Sequence, residues 1–232
     1  MTSSVNLNRL DLDRYRSWSL SLYICATCGL CASLCPVSGI DGFDPCKLVR
    51  MVRLGLHKDV IDSRWPWICT MCGKCEHLCP MAVDITEMVR KVRSLRERQK
   101  VPGELQKGLA QALKTGNIFG LPKEDYIFII EDVAAEIAEE PGFSGFTVPI
   151  DKKGANLLIT IHNKLVNTRT EDLKHLWKIL YAAGEDWTVP SNNWEGCNWA
   201  YFTGEDDAVR ILVDRLVEHM YRLKVNHLLY PE

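Results

Sequence analysis

Two runs of cysteine repeat along this chain, Cys25-x2-Cys28-x2-Cys31-x3-Cys35-Pro36 and Cys69-x2-Cys72-x2-Cys75-x3-Cys79-Pro80, and together they use eight of its ten cysteines. Three thiolates with two residues between each can point inward from a curling loop at one centre, and a cubane iron-sulfur cluster takes four thiolates. The fourth cysteine follows a wider gap and precedes a proline that stiffens the exit; in this kind of run it ligates the other cluster. The spacing therefore predicts two 4Fe-4S clusters, one held by Cys25, Cys28, Cys31 and Cys79, the other by Cys69, Cys72, Cys75 and Cys35. The crossing would tie both runs into one folding unit.

Other uses of cysteine fit less well. Structural zinc wants two separated Cys-x2-Cys pairs around one tetrahedral ion, with no third cysteine at the same step and no closing Cys-Pro. Disulfides are disfavoured because cysteines this close in sequence are poor bridge partners and no secretory signal precedes the runs. Met1 to Arg14 carries acidic residues and no apolar h-region. With thiolate ligation, that predicts a cytoplasmic protein.

The chain has 232 residues, room for two modest domains. A formal net charge of -2, with 25% of residues charged, gives no global basic field and predicts no nucleic-acid partner. No apolar run approaches the ~18 residues a membrane helix needs.

Asp44-Pro45 followed by Cys46, Leu48, Val49, Val52, Leu54 and Leu56 reads as a capped helix between the runs. Asp84 caps a second helix over 85–99, with Ile85, Met88, Val89, Val92 and Leu95 at helical spacing. Residues 1–100 thus read as an all-helical domain. Residues 101–150 mix prolines and glycines with short helical stretches, one of them 131–140, and read as a linker. Residues 151–232 run strand (155–161), helix (171–183), strand (186–189), helix (206–223), strand (226–230), a small parallel α/β unit. The fold class expected is α plus α/β.

The phrases Cys28-Gly29-Leu30-Cys31 and Cys72-Gly73-Lys74-Cys75, joined by a helical spacer, resemble the C subunit of heterodisulfide reductases and similar helical ferredoxin domains over residues 14–100. The iron-sulfur subunits of succinate dehydrogenase and glycolate oxidase share this module. In the tail, Asn117-Ile118-Phe119-Gly120-Leu121-Pro122, Leu157 to Ile161, Ala182 to Val189 and Thr203-Gly204-Glu205 resemble the opening of the cysteine-rich CCG domain of the B and D subunits. In that family tandem cysteine motifs hold a noncubane cluster where a disulfide is reduced. Here Ile161-His162-Asn163 stands where the first glycine-cysteine belongs, and Glu195-Gly196-Cys197 keeps one cysteine where two adjacent ones belong. The resemblance implies a degenerate CCG domain without its ligands, useful for docking. A C subunit of this length is similar to those of the heterodisulfide reductase-like complex of sulfur-oxidising prokaryotes. That implies a flavin-binding A subunit, a catalytic B (CCG) subunit and a lipoate-binding carrier protein as partners.

The function expected is a non-catalytic electron-transfer subunit, between a flavoprotein and a thiol- or disulfide-handling subunit. Alternatives are the iron-sulfur subunit of a quinone-linked dehydrogenase of the succinate or glycolate oxidase type, or an iron-sulfur redox sensor. The helix after the second run carries Arg90, Lys91, Arg93, Arg96, Arg98 and Lys100 against Glu87 and Glu97. It reads as a solvated face or as a dock for an acidic partner. Cys46 reads as packing near a cluster, Cys197 as a lone thiol and His77 as a surface side chain or a donor to cluster sulfur. Trp65 and Trp67, with Trp18, Leu20, Leu22 and Ile24, read as core or as cover over a cluster.

Overall fold

The computed structural model describes residues 22–231. They divide into two compact units: the first ends at Val101 and takes in Phe202–Gly204 as well, and the second comprises Pro102–Tyr201 and the residues from Glu205 on.

The first unit is helical. Short helices α1 (Leu30–Ser33), α3 (His57–Asp62), α4 (Trp65–Ile68) and α5 (Lys74–His77) stand beside the longer α2 (Pro45–Arg53) and α6 (Ile85–Ser94). Both long helices begin as the sequence predicts. The Asp44 carboxylate accepts the Lys47 N–H at 2.9 Å with Pro45 in the first turn, and the Asp84 carboxylate accepts the Glu87 N–H at 2.9 Å. Each aspartate satisfies a donor that a helix start otherwise leaves open. The core is the apolar stripe of α2 (Leu48, Val49, Val52) against that of α6 (Ile85, Met88, Val89, Val92), closed by Leu22, Phe43, Val60 and Val83. Trp18 and Leu20 lie outside the described residues; Ile24 is exposed. The α6 helix stops at Ser94, earlier than its periodicity predicts, and a short 3-10 turn follows over Arg98–Lys100.

The second unit is α/β. It contains α7 (Gly103–Thr115), α8 (Lys123–Ala138), β1 (Leu157–Ile159), α9 (Asn163–Asn167), α10 (Thr170–Ala182), β2 (Trp187–Thr188), α11 (Asn198–Thr203, ending in the first unit), α12 (Asp206–Leu223) and β3 (His227–Leu229). The strands form one parallel sheet in the order β2-β1-β3, with Leu157 opposite both Trp187 and His227. Helices cover both faces, as parallel strands require. Ile159 packs with Tyr126, Ile130 and Ile137 of α8 and Leu173 and Trp177 of α10, whereas its neighbour Leu158 packs with Leu223 of α12. This alternation follows from the two-residue period of a strand. At the centre the Tyr126 and Trp194 rings stack 3.8 Å apart and 3° from parallel.

The linker expected over 101–150 is instead structural. The glycines and prolines mark helix ends: Gly116, at φ 85°, closes α7, and Pro102 and Pro122 immediately precede α7 and α8. α8 buries Tyr126, Ile130, Val133, Ala134 and Ile137 in the core of the second unit. Among the described residues no helix is long and apolar enough to cross a membrane.

Candidate iron-sulfur centre

Each cysteine run folds the same way. Two residues beyond the first cysteine the backbone turns left-handed, at Thr27 (φ 54°) and Met71 (φ 54°), a conformation uncommon outside glycine. In both cases the N–H of that residue points at the sulfur of the first cysteine, Thr27 N to Cys25 Sγ and Met71 N to Cys69 Sγ, 3.4 Å each. Gly29 and Gly73, again with positive φ, then start α1 and α5, which carry the third cysteine. The left-handed turns curl the loop so that successive thiols face one centre.

Two cavities result, each of about 350 to 360 Å³ with its open mouth included. The first is lined by Cys25, Cys28, Cys31 and Cys79, with Cys46, Leu30, Val49, Met81 and Ile85. The second is lined by Cys69, Cys72, Cys75 and Cys35, with Val37, Phe43, Pro45 and Ile85. Among the described residues no three His, Cys, Asp or Glu side chains converge closely enough to grip a single metal ion. The thiols stand around a space, as donors to an extended inorganic cube would, so the donor set fits such a group.

The thiols differ in environment. Burial, helped by Cys46 and Asp44, pushes Cys31 up to about 12, and burial with the Glu76 carboxylate pushes Cys75 up to about 12. Burial raises Cys69 as well, against the Met71 N–H and the Arg93 charge that lower it. Exposed Cys72 is lowered, chiefly by the Lys74 N–H. The buried sulfurs therefore keep their protons until a cation arrives to replace them, the usual coupling of thiolate ligation to proton release. The exposed cysteines, Cys28 and Cys72, mark the solvent side of each cavity.

Cys46 is buried and lines the first cavity as a fifth thiol, close enough to Cys31 to hydrogen-bond. His77 is exposed. Neither Trp65 nor Trp67 lines a cavity; Trp65 Nε1 donates to the Asp41 carbonyl at 3.0 Å, and Trp67 lies under the Arg93 guanidinium. Aliphatic side chains, Phe43 and Pro45 line the cavities in their place.

Of the basic face expected after the second run, Arg98 and Lys100 are exposed, whereas Arg93 and Arg96 turn to the protein. Arg93 is 1% exposed, donating to the carbonyls of Pro66 (2.9 Å) and Cys69 (2.6 Å). It also lies against Phe202 of the same unit. Arg96 donates to the Ser63 carbonyl, Arg90 pairs with Glu87 at 2.7 Å, and Lys100 pairs with Asp62 at 3.0 Å. Arg93 and Arg96 are therefore not on hand for an acidic partner. A signal was available: Arg93 lies four residues past Val89 and Arg96 four past Val92, in line with the buried stripe.

In the second unit, Asn117, Asn163 and Glu195 come together past the carboxyl end of β1. Glu195, 7% exposed, accepts the N–H groups of Ile118 (2.6 Å) and Asn163 (3.1 Å). Asn117 accepts from the Asn163 amide at 2.9 Å, and the His162 Nδ1 accepts the Lys164 N–H. The Cys197 N–H donates to the Tyr230 hydroxyl at 2.7 Å. A carboxylate and amides fill this place.

Residues 21–83 match the family model of a 4Fe-4S dicluster domain. This stretch is ferredoxin-like and binds 4Fe-4S, and its role is iron-sulfur electron transfer. A search of curated proteins returned no match.

Proposed function

We propose that the chain binds two 4Fe-4S clusters, one through Cys25, Cys28, Cys31 and Cys79 and one through Cys69, Cys72, Cys75 and Cys35. It would serve as the C-type electron-transfer subunit of a heterodisulfide reductase-like complex. The observation that carries the ligation is the exchange of fourth cysteines: Cys79 lines the cavity of the first run and Cys35 that of the second. Bound there, each cubane supplies reversible one-electron chemistry. The protein's part is to hold the thiols apart at four corners, to keep water from the inner sulfurs with Phe43, Val49, Val83 and Ile85, and to leave Cys28 and Cys72 facing solvent for an electron partner.

The second unit supports the subunit reading. Its parallel sheet is flanked by the segments that resemble a CCG domain, and beside the lone Cys197 the Glu195 carboxylate accepts the Ile118 and Asn163 N–H groups. A domain so filled has no disulfide chemistry of its own and suits docking against a catalytic B-type subunit beside a flavin-binding A-type subunit.

Iron analysis and low-temperature EPR of the dithionite-reduced chain test the ligation. About eight irons per chain with coupled reduced-cubane signals are expected; tightly bound zinc without iron overturns it. Cys35→Ala should damage the cluster built mainly by the second run, and damage confined to the first-run cluster refutes the crossing. Reconstitution with B-type and A-type subunits tests the assignment, which fails if neither binds nor exchanges electrons with the chain.

A further inference from the structure

The two halves of the first unit repeat one further construction. Nine residues beyond each capping aspartate, α2 and α6 carry an arginine, Arg53 and Arg93. Each reaches back to the carbonyl of the first cysteine of its own run: Arg53 Nη1 to Cys25 O at 3.0 Å, and Arg93 Nη2 to Cys69 O at 2.6 Å. The helix after each run thus clamps the loop before it, through a cation one residue's backbone from a thiol.

The clamps differ in burial and in partners. Arg53 is half-buried and donates to Cys25. Arg93 is buried, donates also to Pro66 O (2.9 Å) and Met71 Sδ (2.9 Å), and lies 5.0 Å from the Trp67 ring centre. The other charges nearby do not erase the difference. Lys74 and Glu76 flank Cys75 with opposite signs, and on the first-run side Asp44 acts on Cys31.

We infer that Arg53 and Arg93 are paired positioning residues, one for each cysteine run, and that the buried charge of Arg93 directs the first electron to the site of Cys69, Cys72 and Cys75. Adding an electron to an anionic cubane is favoured by a nearby cation, and a cation shielded from solvent acts more strongly than a solvated one. Dry surroundings oppose reduction, and Cys69 is the more buried of the two first cysteines; the guanidinium inside that dry region reverses the balance. The inference rests on the ligation proposed above.

Redox titration of the full chain, followed by EPR, tests it. Cys28→Ser and Cys72→Ser identify which reduction wave belongs to which site, and the Cys72 wave should come first. Arg93→Gln should retain its iron and move that wave to lower potential, changing the reduced-to-oxidised ratio at fixed potential by about tenfold. Arg53→Gln should move the other wave less. If Arg93→Gln loses its iron, Arg93→Lys decides: lysine keeps the charge, so the wave should stay near its original potential. A first wave at the Cys28 site, or an unmoved wave in iron-replete Arg93→Gln, or a large shift in Arg93→Lys, overturns the inference. Absence of clusters from the unaltered chain would instead refute the ligation.

Discussion

Asp44 and Asp84 show how one residue can be both legible and consequential. Each is a short acidic side chain just before an apolar helical run, and each caps as that position predicts. Replacing Asp84 with Ala should cost about 1 kcal/mol, while Asn, which keeps the acceptor, should cost much less; urea unfolding of the first unit followed by circular dichroism measures both. The arginines were not legible in the same way. A charged residue on a helix is read as solvated, yet Arg93 spends its guanidinium on backbone carbonyls of the segment that leads into Cys69. Sequence spacing places Arg93 on the stripe, but only the fold supplies carbonyls for it to meet. The grouping of the eight cysteines around two cavities was legible because their spacing is regular and repeated. Cys46 was read as packing near a cluster and lines the first cavity; which of the two it would meet could not be read, since no rule of spacing links a helix residue to either loop.

Among the elements, the three strands of the second unit were visible as apolar runs, and the structure keeps all three in parallel, trimmed at their ends. α8 was read in part: a helical stretch was expected over 131–140, and the structure starts it at Lys123 and buries Val133 and Ile137 of that stretch in the core of the second unit. Glycines and prolines on either side looked like loop composition, although here they bound helices. That burial makes a prediction. Ile137→Ala removes a side chain with no exposure from the core against the sheet, and should cost about 2 to 5 kcal/mol, read as a lowered denaturant midpoint by tryptophan fluorescence. A cost near zero would mean that 123–138 behaves as a linker after all.

At the scale of the whole molecule, pH acts on the second unit through groups of opposite sign. Burial holds His162 and His219 below the ordinary imidazole value of 6.5, aided by Lys164 and by Arg222 respectively, with Asp151 opposing at His219. An imidazole so depressed contributes stability that is complete above its unfolded value and is lost as pH falls toward its folded one. Burial raises Glu195, which conversely gains stability as pH falls toward the carboxylate range. Urea midpoints at about pH 7.5 and 5.5 should therefore fall less in a His162→Asn, His219→Gln chain than in the unaltered one, because Glu195 is common to both. Equal falls would show that the histidines do not govern this slope. In the first unit, Cys35 belongs by sequence to one run and by position to the other's cavity, and Cys79 the reverse. With ligation as proposed, filling either site immobilises one cysteine of the run that supplies three of its neighbour's donors, so the second filling has less chain left to order. Scarce iron would then sort the population into empty and complete molecules, and oxidative loss at one site would loosen the other.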